Sequence, residues 1–222
     1  MITSFDWTKY NTERNKQAIT IDKYNSYSNF NFVEKGVYNQ VRDIYALALL
    51  ISKNRKKTNV LDFGGNLIAH SNLANKINIK SYNFKIYNPY IKKIRNFFLF
   101  KYNLINNLIN LKDKKYDLVY FGSCIQYIDD LKAIINLNLI SKSKYILITH
   151  TPLSFGKQDI SLENQKNQKN LLQKIYNLNF IEKKLLGNKF ELIFKSINDF
   201  KYSGLRYKNK NIQSVNLLFK KK

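Results

Sequence analysis

Between residues 59 and 149 the chain alternates short apolar runs with segments of helical period, and nothing else constrains its fold as much. The runs are Asn59–Phe63, Tyr82–Tyr87, Leu99–Tyr102, Leu118–Phe121 and Lys144–Thr149. Between them lie stretches of helical character near 68–77, 90–97, 104–111 and 129–139. Strands this apolar are covered on both faces, and strands separated by helices pair in parallel. The prediction is an α/β fold: a Rossmann-like, doubly wound, mostly parallel sheet in a three-layer α/β/α sandwich. An amphipathic helix precedes it over 37–52, with apolar residues at 37, 41, 44, 45, 47, 48 and 51, and a basic loop at 54–58 closes that helix. The fifth run stops at His150-Thr151-Pro152. Beyond it, a polar helix over 161–177 is expected, then strands at Phe180–Leu186, Phe190–Lys195 and Ser214–Phe219 joined by turns, forming an antiparallel C-terminal edge. Residues 1–35, polar and aromatic without period, read as an N-terminal arm that packs on the domain or forms a lid, and 36–222 as one α/β domain.

Composition narrows the function classes. One cysteine, Cys124, excludes an internal disulfide and a cysteine-built zinc site, and two histidines, His70 and His150, argue against a metal centre. No window reaches the roughly 18 apolar residues of a membrane span, and the start of the chain lacks a secretory pattern, so no membrane insertion and a cytoplasmic location are expected. The net charge of +23 suggests a polyanionic partner. Against it, only five of the basic residues are arginine (14, 42, 55, 95, 206), and lysine abounds together with Asn, Ile, Tyr and Phe, as codon bias would produce. Arginine is the preferred residue for bidentate phosphate contacts.

In a doubly wound sheet, ligands sit at the carboxyl ends of the strands where strand order reverses. The first strand ends in Asp62-Phe63-Gly64-Gly65-Asn66. Bare backbone at Gly64 and Gly65 can approach a ligand closely, and the helix that follows adds its dipole; alternatively this is a strand-to-helix turn capped by Asp62. The second strand ends in Tyr87-Asn88-Pro89, where Asn88 can accept one hydrogen bond from a ribose and Tyr87 can stack or donate; the alternative is a plain turn. After the fourth strand, Gly122 permits close approach, Ser123 and Gln126 offer polar groups and Tyr127 an aromatic wall. Asp129-Asp130 reads as a helix cap and Cys124 as a small buried hydrophobe. His150, after the fifth strand, has the chemistry of a general base. His70 reads as structural.

With these residues assembled, the chain resembles the class I S-adenosylmethionine-dependent methyltransferases. More closely, it is similar to a small family of methyltransferases encoded among surface-polysaccharide biosynthesis genes. VLDFGGNL (60–67) is similar to that family's strand and Gly-Gly loop, and DLVYFGSCIQYIDD…YILITHTP (117–152) to its later strands. The order and spacing of these segments agree over roughly residues 37–195. The sequence departs from the family's pattern in three places. Ile68 stands where that loop has a further glycine, Tyr87-Asn88 where a carboxylate meets the ribose, and His150 where a basic residue precedes Thr-Pro.

The resemblance implies S-adenosyl-L-methionine as cofactor, held by Asp62, Gly64, Gly65, Asn66, Tyr87, Asn88 and Ser123. A small-molecule acceptor, a sugar or other glycan precursor, is expected against Gln126 and Tyr127, with His150 and Tyr127 catalytic and no metal. Two rival expectations follow from the departures and the charge. One is an RNA methyltransferase using the basic surface; the other is a non-catalytic relative whose cofactor loop has degenerated.

Overall fold

The computed structural model describes residues 37–54, 57–64, 77–87, 103–105, 115–128, 130–165, 168–197, 207, 209 and 211–222. Helix α1 (Val37–Ile51) leads into β1 (Thr58–Phe63), followed by β2 (Tyr82–Tyr87), β3 (Asn103–Ile105) and β4 (Leu118–Gly122). Two short helices, α2 (Leu131–Asn136) and α3 (Asn138–Ser141), return the chain to β5 (Tyr145–Ser154). The remainder is β6 (Ile160–Gln165), β7 (Gln168–Asn177), α4 (Leu178–Gly187), β8 (Phe190–Ile197) and β9 (Ile212–Lys221).

Strands β3, β2, β1, β4 and β5 pair side by side in parallel. β9 lies antiparallel to β5, and β8 antiparallel to β9, so β8 again runs with the central strands. The expected Rossmann-like α/β sheet with antiparallel C-terminal strands is the fold observed. Chain order reverses between β1 and β4: successive strands go outward through β2 and β3, then return to the other side of β1.

The alternation of side chains along each strand divides the core into two layers. On β4, Leu118 and Tyr120 face α1 with Ile44, Tyr45, Ala48 and Leu49, and the rings of Tyr45 and Tyr120 stack at 3.9 Å. Val119 and Phe121 face the opposite layer, built by Leu131, Ile135, Ile181 and Leu185. Burial of each such aliphatic side chain stabilises by about 1.5–3 kcal/mol. Strands apolar on both faces are therefore read correctly from sequence: β1, β2 and β4 lie within a residue of their expected positions.

Four expectations are corrected. The polar helix expected over 161–177 is a β-hairpin, β6–β7, antiparallel from Ile160↔Tyr176 onward. Its composition is helical, but β7 joins the sheet through Leu153↔Tyr176 and Ser154↔Asn177, burying Ile175 and Tyr176. The strand expected at Phe180–Leu186 is α4, whose buried residues Leu178, Ile181 and Leu185 follow helical spacing. Asn177 caps it, accepting the Asn179 N–H at 2.8 Å. The fifth strand does not stop at His150-Thr151-Pro152. β5 runs on to Ser154, with Pro152 in the gap between the end of the β4 pairing at Thr149 and the start of the β7 pairing at Leu153. Finally, Leu104 and Ile105, expected to start a helix, belong to β3. The arm over 1–35, the helices over 68–77 and 90–97 and the strand at 99–102 fall outside the described residues, apart from Ile77, a buried bend.

Candidate functional site

Three adjacent parallel strands carry left-handed backbone at or near their carboxyl ends. Gly64 after β1 has φ 75°, Ser123 after β4 has φ 53° and His150 within β5 has φ 49°. Only glycine adopts that region without cost, so Ser123 and His150 are held there by their surroundings. The Ser123 N–H donates to the Thr149 carbonyl at 2.9 Å. The His150 N–H donates to Asn216 Oδ1 at 2.9 Å, across a register shift in the β5–β9 pairing between Ile148 and Thr151. Gly64 and Ser123 follow the strands that flank the reversal of strand order, the place where such sheets bind ligands.

Gly64 is constrained by the protein itself. Its N–H donates to the Tyr87 carbonyl at 2.7 Å, and a Cβ there would stand 2.9 Å from Cys124 Cβ. The bare face of Gly64 is thus turned to Cys124. Gly65, Asn66, Ile68, His70 and Asn88 lie outside the described residues. Cys124 is buried, and its thiol donates to the Phe63 carbonyl at 3.0 Å. Burial, then the nearby Asp62 charge, pushes that thiol well above its ordinary pKa. It is a packing residue rather than a nucleophile.

Asp62 is fully buried on the α1 side of the sheet, paired in register with Tyr120. Tyr120 is raised well above the ordinary phenol range by burial first and Asp62 second, and its hydroxyl bonds Thr149 Oγ1 at 2.9 Å. Gly122 gives that hydroxyl room, because a Cβ there would meet it at 2.6 Å. At the end of β2, Tyr87 packs its ring against Phe63 at 4.7 Å, and burial raises its phenol pKa.

Past Ser123, a 3-10 turn at Ile125–Tyr127 carries the two expected acceptor-site residues. Gln126 is 1% exposed; its Nε2 donates to the Ser123 carbonyl at 3.0 Å, while its Oε1 has no hydrogen-bond partner among the described residues. Tyr127 accepts a hydrogen bond at 2.7 Å from Gln173 Nε2 on β7, and the Tyr207 hydroxyl donates to Gln173 Oε1. The hairpin is further tied to this turn by the Tyr176 hydroxyl, which donates to the Ile128 carbonyl at 2.8 Å. The ring of His150 is buried against β9, its Nδ1 3.1 Å from Ser214 Oγ.

The structure therefore brings Gly64, Ser123, Gln126 and Tyr127 together just past the ends of β1 and β4. Asp62 and Tyr87 lie beneath them in opposite core layers, and His150 faces β9. Gln173, Tyr207, Ser214 and Asn216 were not foreseen: they act across long sequence separations, and Gln173 lay in a segment read as helix. Among the described residues no group of three or more His, Cys, Asp or Glu could hold a metal ion.

No protein-family model matches the chain, and no curated protein matches it. Solved structures do. Magnesium protoporphyrin IX methyltransferase from Synechocystis PCC 6803, with S-adenosylhomocysteine bound, superposes with TM-score 0.53 at 14% identity, over 88% of this chain and 89% of its own. Coclaurine N-methyltransferase, bound to N-methylheliamine and S-adenosylhomocysteine, gives 0.57 at 11% identity, over 83% and 70%. An S-adenosylmethionine-dependent methyltransferase from Mesorhizobium loti gives 0.50 at 10% identity, over 81% and 100%. The chain has the fold that these methyltransferases share.

Proposed function

We propose that the protein is an S-adenosylmethionine-dependent methyltransferase acting on a small molecule, with a sugar or other surface-glycan precursor as the acceptor class. One observation carries the reading: Gly64 and Ser123, both in left-handed backbone, follow the ends of the two strands that flank the reversal of strand order, with His150 in the same conformation inside the next strand, in a sheet shared with methyltransferases. Strain of this kind collects at functional sites.

The residues fit an acceptor bound beside such a cofactor in one further respect. Gln126 Oε1 is a buried acceptor with no partner among the described residues, and a ligand's N–H or O–H would satisfy it. Bound in the crevice, S-adenosylmethionine would supply a methyl group already activated by its sulfonium charge. The chain's own residues then have two tasks, alignment and proton removal. Gly65, Asn66 and Asn88 are assigned to the cofactor with Ser123, and the buried Asp62 to stabilising the loop from beneath. Gln126 and Tyr127 line the acceptor side. His150, its ring oriented by Ser214 at Nδ1, is the candidate base for an acceptor hydroxyl and would take the proton at Nε2.

Calorimetric titration with S-adenosylhomocysteine tests the reading. Saturable binding is expected, and Gln126→Leu, on the acceptor side, should change it by less than about twofold. Absence of heat at millimolar ligand would leave a methyltransferase-like fold without its cofactor.

A further inference from the structure

The described lysines are not evenly spread over the fold. In the turns beside the amino ends of the parallel strands stand Lys53 and Lys57 before β1, Lys80 before β2 and Lys115 before β4, all exposed. Lys142 and Lys144 precede β5, and Lys189 precedes β8. Antiparallel β9 carries Lys220 and Lys222 to the same edge.

Backbone hydrogen bonds stitch these turns together. The Lys144 N–H donates to Tyr116 at 3.3 Å, the Lys221 N–H to Lys144 at 2.8 Å and the Lys222 N–H to Lys189 at 2.9 Å, each at the carbonyl. From β2 through β1, β4, β5 and β9 to β8, the rim extends about 24 Å at the usual inter-strand spacing. Carboxylates offset little of it. Among the described residues at this edge, Asp117 is buried, held by Lys144 Nζ at 2.8 Å and the Asn59 N–H at 3.0 Å, and Glu191 lies 3.7 Å from Lys220. The described turns at the opposite, carboxyl edge carry Lys157.

Exposed aliphatic side chains flank the rim on both faces of the sheet. α1 ends at this edge with Leu50 53% and Ile51 44% exposed, beside Lys53, whose N–H donates to the Leu50 carbonyl at 3.3 Å. On the other face α4 ends with Leu186 45% exposed, its carbonyl accepting the Lys189 N–H at 3.0 Å.

We propose that this amino edge docks the protein on an anionic lipid bilayer. Lysine ammonium groups are compact, strongly hydrated point charges suited to a diffuse layer of headgroups. Leu50, Ile51 and Leu186 are placed to enter the boundary between headgroups and acyl chains. Exposed aliphatic side chains beside the charges suit a bilayer, whereas bases stack on exposed aromatic rings. Among the described residues no helix is long and apolar enough to cross a membrane, so the contact is peripheral. Because the rim lies opposite the crevice, docking leaves the candidate site open to solution.

Co-sedimentation of the full chain with vesicles of phosphatidylglycerol and phosphatidylcholine tests this. Binding is expected to require phosphatidylglycerol and to fall as salt screens the exposed charges. Replacing Lys53, Lys57 and Lys115 together by Glu lowers partitioning by about tenfold or more, given the contribution of each surface lysine. The Gln versions of the same three positions give a smaller loss in the same direction. Lys132→Glu, Lys157→Glu and Lys183→Glu together make the same change in net charge away from the rim, and should shift binding by less than about twofold. Leu50→Ser with Ile51→Ser weakens binding and leaves its salt dependence. Equal losses in the two triple-Glu variants would reduce the effect to net charge and overturn the proposal. So would tighter binding to a single-stranded RNA oligonucleotide than to the vesicles, lost in the same rim variant. S-adenosylhomocysteine titration is unaffected by the rim variants, so this proposal and the methyltransferase reading fail separately.

Discussion

Gly64 can be tested by a double-mutant cycle with Cys124. Gly64→Ala places a methyl group on backbone at φ 75°, which costs a non-glycine residue about 1–2 kcal/mol. That methyl would stand 2.9 Å from Cys124 Cβ and 3.3 Å from Sγ, and overpacking of this kind costs about 1–3 kcal/mol more. The expected destabilisation is therefore about 2–5 kcal/mol. In a Cys124→Gly background the clash is gone and only the left-handed term of about 1–2 kcal/mol remains, giving a coupling of about 1–3 kcal/mol. Cys124→Ala keeps the closer of the two contacts, so Gly64→Ala should stay nearly as costly there as in the parent. Urea denaturation followed by far-UV circular dichroism measures all four corners, provided the slope m is unchanged. If Gly64→Ala costs the same in all three backgrounds, Cys124 is not what excludes a side chain. A cost below about 1 kcal/mol in the parent would refute the left-handed turn itself.

Three further outcomes follow from the buried polar groups. The only cysteine should react with a disulfide reagent at least about a hundredfold more slowly in the native protein than in urea, because burial keeps Cys124 protonated. The sign of its pH effect follows: its folded pKa is raised, so its contribution is complete below the unfolded thiol's pKa and is lost as pH rises beyond it; Cys124→Ala should flatten the alkaline loss of stability. Gln173→Leu removes a hydrogen-bond partner from each of the hydroxyls of Tyr127 and Tyr207 and should destabilise by about 2–4 kcal/mol; adding Tyr127→Phe and Tyr207→Phe should restore part of that, as measured by denaturation midpoints.

Much of the central sheet was legible in the sequence. A run such as Leu118-Val119-Tyr120-Phe121 is apolar on both faces, which only a doubly covered strand explains, and the glycines at 64 and 122 mark where such strands end. The position of Ser123, Gln126 and Tyr127 just past the end of β4 followed from the same pattern. The error at 178–187 was one of period: Leu178, Ile181 and Leu185, with Asn177 before and Gly187 at the end, already spelled a capped helix.

The hairpin over 160–177 could not be read in the same way. Its Glu, Gln, Lys and Leu residues favour a helix locally, and the strands win because the end of β5 offers Leu153 and Ser154 an open edge that β7 fills. The same holds for the partners of the site residues. His150 meets Ser214 and Asn216 from β9, and Tyr127 meets Gln173 from β7, over separations of 64, 66 and 46 residues. Local composition therefore determined where the central strands lie and what their ends carry. Tertiary pairing decided what each end touches, because a buried polar group must be satisfied by whatever the fold brings beside it.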